Sequence, residues 1–373
     1  MRKWMNTGAV GALWLLSFIS GTGLDSTYRI TERVRIAMLV LTILVVLIKV
    51  LDKKKAPVKT RDLVAFGGMA GVFFLSALIH GCKAQPFEYL YAFLAVLWLS
   101  RLKFSEEDFR RIGLCVGIAG FTVLFIFGRA TRLGGWNENS VAMIGFFSYL
   151  VFLIPLFDSR RRNAKLLILV TAVVVMFFLN MTESRSCLLF MLVTLAFALG
   201  VPDRKLLYRS NASTSIVLLF PLFAAIFVVL ISSSQLIQDL DLWSVARYDK
   251  PFLNGRDVLW RNGFELLGRN PLLGCGDLNA DNWHNSAVHA LTAYGLLGYY
   301  LWLRSFHAIL AKADAFLDDY LVRGCIVSFA IIYMQQSVEL GIISTTPDLI
   351  PFIILGMMLG RVRYLREATY AEA

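Results

Sequence analysis

Apolar runs of about the length that a helix needs to cross a bilayer recur along most of the chain. The sequence predicts twelve of them, at residues 5–23, 34–51, 62–80, 86–100, 112–128, 138–157, 164–180, 186–200, 213–233, 291–311, 321–341 and 345–360. Lipid offers the backbone no hydrogen-bonding partner, so each run must satisfy its own peptide groups, which a helix does. Because 57% of the residues are hydrophobic and 17% charged, an ordinary soluble domain is excluded. We expect an all-α, polytopic integral membrane protein of about twelve transmembrane helices.

The lysines and arginines predict the orientation of these helices. Twenty-four of the 37 lie at the two ends of the chain or in alternate loops, which is the distribution typical of cytoplasmic segments. We therefore expect a multi-pass protein with both termini in the cytoplasm. The net charge of +11 follows mostly from this asymmetry. Without a solvated basic domain, it does not indicate nucleic-acid binding.

One long polar segment interrupts the apolar pattern. Residues 234–290 separate the first nine predicted helices, in residues 1–233, from the last three and a cytoplasmic tail, in residues 291–373. On the predicted topology this segment is extracytoplasmic. We expect short helices in it at 235–243 and 256–267, and a third that begins near Asp281 or Asn282 and continues into the tenth span. That third helix would hold His284 in its first turn, where the helix dipole disfavours a protonated imidazole.

The ionisable side chains of most chemical interest are predicted on one face of the membrane. Arg129 and Arg132 follow the fifth span, Arg185 lies at the mouth of the eighth, and Arg256 and His284 lie in the polar segment. A charge close to lipid is costly without a partner, and no carboxylates match these arginines one for one. We therefore expect an anionic ligand. Phosphate suits the forked hydrogen-bond donors of arginine best.

Simpler roles compete with ligand binding for several of these side chains. Arg129 and Arg132 would reach lipid head groups with their charged ends. Arg256 would pair with Asp257 or Glu265 of its own helix, and His284 would cap a helix or bind water. In the eleventh span, the two glutamines at 335 and 336 and the glutamate at 339 either form hydrogen bonds between helices, which we favour, or line a substrate path.

Several short motifs carry a family resemblance. Those in and after the polar segment are Gly255-Arg256 with Trp260, Asn270-Pro271-Leu272-Leu273-Gly274-Cys275-Gly276, His284-Asn285, and Gly295-Leu296-Leu297-Gly298. With Thr182-Glu183-Ser184-Arg185 and Asn137-Glu138-Asn139 upstream, they resemble the signature of the O-antigen ligase and O-antigen polymerase superfamily. The chain departs from that pattern at Glu138, where the family often has a proline.

The resemblance implies a GT-C-like bacterial glycosyltransferase that acts at the outer face of the cytoplasmic membrane. Such enzymes move a glycan from undecaprenyl pyrophosphate to an acceptor sugar hydroxyl on a glycan or glycolipid. Direct attack of that hydroxyl at the anomeric carbon predicts inversion. These enzymes use no metal or other cofactor, and the chain has no HExxH or paired-ligand spacing. By this resemblance His284 is the base, and Arg185 and Arg256 contact the pyrophosphate. Substrate binding is expected from the remaining candidates, which are Arg129, Arg132, Asn139, Trp260 and Asn285.

Three alternatives stay open on the sequence alone. Within the transferase hypothesis, a ligase and a polymerase are not distinguished by any residue. A twelve-helix transporter or a flippase of lipid-linked glycans is a different class, although no repeat between the two halves of the chain supports it. A non-catalytic assembly partner is the third possibility.

Overall fold

The computed structural model describes residues 2–21, 60–81, 85–134, 138–157, 162–200, 211–276, 280, 282–342 and 348–372. These ranges contain thirteen α-helices, one short 3-10 helix and no strand, which confirms the predicted all-α class. The α-helices are α1 (Arg2–Gly21), α2 (Thr60–His80), α3 (Gln85–Ser100), α4 (Glu106–Gly134), α5 (Glu138–Leu153), α6 (Arg162–Met181), α7 (Arg185–Leu199), α8 (Asn211–Ile231), α9 (Gln235–Tyr248), α10 (Arg256–Arg269), α11 (Ser286–Leu310), α12 (Tyr320–Gln335) and α13 (Ile350–Glu372). The predicted span at 34–51 lies outside the described residues.

Three of the described helices are long and apolar enough to cross a membrane. They are Glu106–Gly128 within α4, Arg162–Met181, which is α6, and Thr214–Ile231 within α8. Shorter apolar helices occupy five further predicted runs, at Trp4–Ile19, Gly67–His80, Asn139–Leu153, Arg185–Leu199 and Tyr320–Gln335. In the described ranges, the structure therefore shows three full-length candidate spans, not twelve.

The three candidate spans expose large apolar side chains on their outer faces. On α4 these are Leu114, Ile118, Phe121 and Phe125, on α6 Leu166, Val170, Val173 and Phe177, and on α8 Ile216, Phe223, Phe227 and Leu230. Their spacing of three, four or seven residues keeps each set on one helix face. An exposed apolar surface of this size needs a cover, and lipid provides one.

The centre of the bundle is formed by helices that are buried on all sides. In α13 every residue from Ile350 to Val362 is buried, and α12 is buried over most of its length. Small residues allow close helix contacts in the outer layer. A Cβ atom on Gly120 of α4 would lie 2.2 Å from the Cβ atom of Ser148 in α5, and one on Gly145 would lie 2.3 Å from Leu124. Glycine is therefore required where α4 and α5 cross.

Hydrogen bonds between distant segments define the two ends of the bundle. At one end, called the Asp319 end, Arg361 donates to Asp319 at 2.7 Å and to the Phe104 carbonyl at 3.4 Å. At the other, called the His284 end, the Ser17 hydroxyl donates to Asp348 at 2.6 Å. Because α12 runs between the two ends, the segment after its last residue lies at the His284 end.

Helix α11 is broken at Gly295, which has φ 68° and ψ −171°. The segment 270–276 satisfies the backbone groups that this break frees. Cys275 N donates to Thr292 O at 2.8 Å, and Leu296 N donates to Pro271 O at 2.8 Å. A Cβ atom on Gly295 would lie 2.3 Å from the Leu272 carbonyl oxygen. The glycines and the Asn-Pro of these motifs therefore shape the backbone of the fold.

Candidate active site

Three helices begin close together at the His284 end. Arg185 is the first residue of α7, Arg256 is the first residue of α10, and α11 begins at Ser286, two residues after His284. The amino end of a helix is the positive end of its dipole, so an arginine there is opposed by about 0.3–1 kcal/mol. The fold thus concentrates positive potential at one place, which is the kind of place where an anion binds.

The carboxylate of Glu339 connects two of the predicted site residues. Its Oε1 atom accepts from Arg256 Nη2 at 3.3 Å, and its Oε2 atom lies 3.4 Å from His284 Nδ1. The side chain of Glu339 is 6% exposed, whereas that of His284 is 38% exposed. The imidazole therefore turns its Nδ1 side towards the buried carboxylate. This leaves Nε2 as the nitrogen that faces away from Glu339.

His284 is held by a backbone conformation that side chains rarely adopt. Its φ is 47°, and such a left-handed residue costs on the order of 1 kcal/mol or more. The side chain of Asn282 supports the turn by accepting from His284 N at 3.2 Å. The predicted helix start at Asp281 or Asn282 is wrong, because Asn285 is the N-cap of α11. His284 precedes the helix and is not in its first turn.

Arg185 lies beside the polar outer segment. Its Nη1 atom donates to the Ser244 hydroxyl at 2.9 Å and to the Pro251 carbonyl at 3.3 Å. Ser244 in turn donates to the Lys250 carbonyl at 2.8 Å. These contacts fix the guanidinium against α9 and the loop that follows it, within electrostatic range of Arg256.

Burial and two charged neighbours act on the guanidinium of Arg256. Burial lowers the pKa of Arg256 from its usual value, Glu339 opposes that effect, and the positive charge of Arg185 lowers the pKa further. The Nε atom of Arg256 is buried and has no hydrogen-bond partner among the described residues. Arg256 pairs with Glu339 from a distant segment and not with a carboxylate of its own helix. The buried carboxylate of Glu339 thus lies between the guanidinium of Arg256 and the imidazole of His284.

Trp260 and Asn285 are buried beside His284. Asn285 is 0% exposed. Its Oδ1 atom accepts from two amides of α11, and its Nδ2 atom donates to the carbonyls of Pro221 and Ser337 at 2.9 Å. Trp260 is 1% exposed and donates to the Trp283 carbonyl at 2.6 Å. Their polar groups are used within the fold to hold the backbone beside His284, and direct substrate contact by either residue stays a prediction.

The upstream candidates lie near the same end of the bundle. Arg129 and Arg132 belong to the last turns of α4, and their side chains lie outside the described part of the structure. The preceding Gly128 adjoins the turn before Arg185, since a Cβ atom on it would lie 3.6 Å from Thr182 Cγ2. Asn139 is half-buried in the first turn of α5.

Glu339 is a residue of the site that the sequence pattern does not assign to it. The sequence predicts it as a link between helices inside the eleventh span, but α12 ends at Gln335 and Glu339 lies beyond it. The side chain of Gln336 shapes this turn by accepting from Gly341 N at 2.7 Å and Ile342 N at 2.9 Å. One signal is present in the sequence: a carboxylate inside a predicted apolar run is by default a functional candidate.

No metal site is indicated in the ranges that the structure describes, where no three His, Cys, Asp or Glu residues are grouped to hold an ion. Asp277 and Asp281 lie outside those ranges. Comparison of the chain with models of protein families and with curated proteins gives no match. What the site can do therefore follows from its geometry and charge.

Proposed function

We propose that the protein is a membrane glycosyltransferase that moves a glycan from undecaprenyl pyrophosphate to a sugar hydroxyl. The observation that carries this proposal is the convergence of Arg185, Arg256 and His284 at one end of the helix bundle. The chain brings Arg256 and His284 to a single carboxylate, and the charge of Arg185 acts on Arg256. A base beside two cations suits transfer from a pyrophosphate donor.

The arginines suit the leaving group of such a reaction. As the bond between the anomeric carbon and the phosphate oxygen breaks, the electron pair and the negative charge pass to the pyrophosphate. Arg185 and Arg256, each at a positive helix end, stabilise that charge. Arginine can donate two parallel hydrogen bonds to phosphate oxygens, so it orients the leaving group as well as neutralising it.

His284 suits the acceptor side of the reaction. A sugar hydroxyl is a poor nucleophile at neutral pH, and a positioned imidazole assists by removing its proton in the transition state. The hydroxyl oxygen forms the new bond to the anomeric carbon, the proton passes to Nε2, and the pyrophosphate leaves from the opposite side. Direct displacement of this kind inverts the anomeric configuration. No step in it needs a metal or another cofactor.

The location of the site fits a membrane-embedded donor. The three candidate spans and their exposed apolar faces support a chain held in lipid, and the basic residues support cytoplasmic termini. We extend the proposal to a bacterial cytoplasmic-membrane protein of about twelve spans, with the His284 end facing outward. A polyprenyl donor would then reach the site from the bilayer, and a glycan or glycolipid acceptor from outside.

Alanine variants of the purified protein, supplied with an undecaprenyl-pyrophosphate-linked glycan and an acceptor, test the proposal. His284→Ala is expected to lower the rate by about 100- to 10,000-fold, and Arg185→Ala and Arg256→Ala should also abolish most product. His307→Ala and Arg261→Ala are matched controls, because His307 lies in the last turn of α11 and Arg261 is an exposed residue of α10. Normal rates in all three site variants, at normal expression, would contradict the proposal.

The acceptor distinguishes the two transferase roles. If the protein given only a lipid-linked repeat produces a ladder of longer chains, it is a polymerase. If product forms only on an added glycolipid acceptor, it is a ligase.

One observation favours a different class. The break in α11 at Gly295 is the kind of discontinuous helix that lines the substrate sites of many transporters. A flippase of lipid-linked glycans would depend on the arginines for head-group binding but would have no use for a base. His284→Ala would then leave translocation in reconstituted vesicles nearly unchanged, and no transfer product would form.

A further inference from the structure

Glu339 is shared between two partners and is not fully engaged with either. Its contact with Arg256 is 3.3 Å and its contact with His284 is 3.4 Å. Optimised charge-assisted hydrogen bonds from nitrogen to a carboxylate are shorter, at about 2.7–2.9 Å. A small rotation of the carboxylate towards one partner would therefore shorten that contact at the expense of the other.

Arg256 has hydrogen-bonding capacity that Glu339 does not use. A guanidinium carries five N–H donors, and within the described ranges only Nη2 is paired while the buried Nε is not. A pyrophosphate offers more negative charge than a carboxylate and several oxygens that match the guanidinium fork. An arriving pyrophosphate would thus compete with Glu339 for the same arginine, and would do so with better geometry.

Competition for Glu339 also affects His284, because the same carboxylate lies beside its imidazole. Its Nδ1 atom is next to Glu339 and its ring is partly exposed. A carboxylate that accepts from Nδ1 fixes the tautomer in which Nε2 is unprotonated and free to act as a base. While Arg256 shares the carboxylate, this support is weakened.

We propose that Glu339 is a positioning residue that donor pyrophosphate displaces from Arg256, so that its carboxylate turns to His284 Nδ1 and readies Nε2 for the acceptor hydroxyl. The proposal rests on the transferase function above. It adds that donor binding by the arginines is coupled to activation of the acceptor by His284. Before the donor binds, Arg256 holds the carboxylate and the base is poorly oriented. After the donor binds, the negative carboxylate stabilises the imidazolium that forms when Nε2 accepts the hydroxyl proton. Glu339 itself neither gains nor loses a proton.

Pyrophosphate binding to the full chain in detergent gives the first readout, with inorganic pyrophosphate as the probe. Glu339→Gln removes the competing charge, so its affinity for pyrophosphate should rise by about five- to tenfold. Glu339→Asp keeps the charge and should bind pyrophosphate within about twofold of the wild type. Glu265→Gln, an exposed residue of the same helix as Arg256, is the matched control and should not change the affinity.

Nitrogen NMR of the imidazoles gives the second readout, and the chain has only four histidines to assign. In the wild type, pyrophosphate should increase the population of the His284 tautomer that carries its proton on Nδ1. In Glu339→Gln the His284 signals should not respond. The proposed exchange is the movement of the Glu339 carboxylate from Arg256 to His284. Unchanged or weaker pyrophosphate binding by Glu339→Gln would overturn it, and so would a His284 tautomer population that does not change when pyrophosphate is added to the wild type.

Neither readout depends on glycan transfer, so the two proposals fail separately. If the protein transfers glycans but Glu339→Gln does not bind pyrophosphate more tightly, the exchange is wrong and the transferase function stands. If both readouts appear and no glycan is transferred to any acceptor, the exchange stands as a property of the anion site and the transferase function is wrong.

Discussion

Two arginine–carboxylate pairs lie at opposite ends of the bundle and differ in how fully the arginine is used. At the Asp319 end, Arg361 reaches Asp319 with Nη2 at 2.7 Å and with Nε at 3.2 Å, and its Nη1 donates to the Phe104 carbonyl. Asp319 also caps α12 by accepting from Leu321 N and Val322 N. At the His284 end, Arg256 makes one contact of 3.3 Å with Glu339.

The difference separates a structural pair from one that is open to a ligand. Both carboxylates are largely buried, with 12% exposure for Asp319 and 6% for Glu339. Buried charges are tolerated when their hydrogen-bonding capacity is filled, and the Arg361 pair meets that condition. Among the residues that the structure describes, the Arg256 pair leaves donors unused beside a second arginine and an imidazole. Unused hydrogen-bond donors, close to the amino ends of three helices, distinguish the candidate site from a purely structural ion pair.

The largest expected effect follows from breaking the structural pair. Arg361→Met leaves Asp319 buried without its cation, so the free energy of unfolding should fall by about 3–5 kcal/mol. Denaturation in detergent micelles measures the change. A loss below about 1 kcal/mol, the usual value for an exposed ion pair, would mean that this end of the bundle does not depend on the pair.

The conservative lysine substitutions sharpen the contrast between the two ends. Arg256→Lys should lower the glycan-transfer rate by about ten- to hundredfold with little change in stability, because lysine keeps the charge but lacks the forked donors. Arg361→Lys should leave the transfer rate nearly unchanged. It should lower the free energy of unfolding by about 1–2 kcal/mol, because the second contact to Asp319 and the hydrogen bond to the Phe104 carbonyl are lost. Full transfer activity in Arg256→Lys would show that only the positive charge at position 256 is needed, and not the forked donors of arginine.

The break in α11 provides a test of how the His284 end is positioned. Gly295→Ala should destabilise the protein by about 1–3 kcal/mol, because a side chain is strained at its positive φ and would collide with the Leu272 carbonyl. Gly268→Ala in α10 is the control, since a Cβ atom there meets nothing within 4 Å. The control should stabilise the helix by at most about 1 kcal/mol. Equal effects of the two substitutions would show that the break carries no constraint.

The smallest effect is expected from removing divalent cations. With arginines supplying the positive charge at the site, chelators should leave the transfer rate unchanged. A rate that falls with chelator and returns with added magnesium or zinc would point to an ion as the missing partner of the pyrophosphate.

The sequence predicts the helices better than it predicts their ends or their contacts. Apolar run length locates α6 and α7 to within a few residues, since this signal is local. The start of α11 is misplaced because Asp281, Asn282 and Asn285 are all residue types that cap helices. The choice of Asn285 depends on the carbonyls of Pro221 and Ser337, which lie 64 and 52 residues away.

The candidate site is predictable in its cations and base but not in the group that joins them. Arg185, Arg256 and His284 stand out because charged residues are rare near apolar runs. Glu339 carries the same signal, but its role as the link between them is not predictable from the sequence, because its two partners lie 83 and 55 residues before it in the chain. The burial of Trp260 and Asn285 is likewise hidden, since it depends on packing among α8, α10 and α11 that no local pattern encodes.

A density map of the protein in lipid nanodiscs with undecaprenyl pyrophosphate bound would show whether the two arginines receive the donor. We expect the pyrophosphate within hydrogen-bonding distance of Arg256 and Arg185, at the His284 end, with the Glu339 carboxylate turned to His284 Nδ1. Pyrophosphate density away from these arginines, or Arg256 still paired with Glu339 beside a bound lipid, would contradict this expectation.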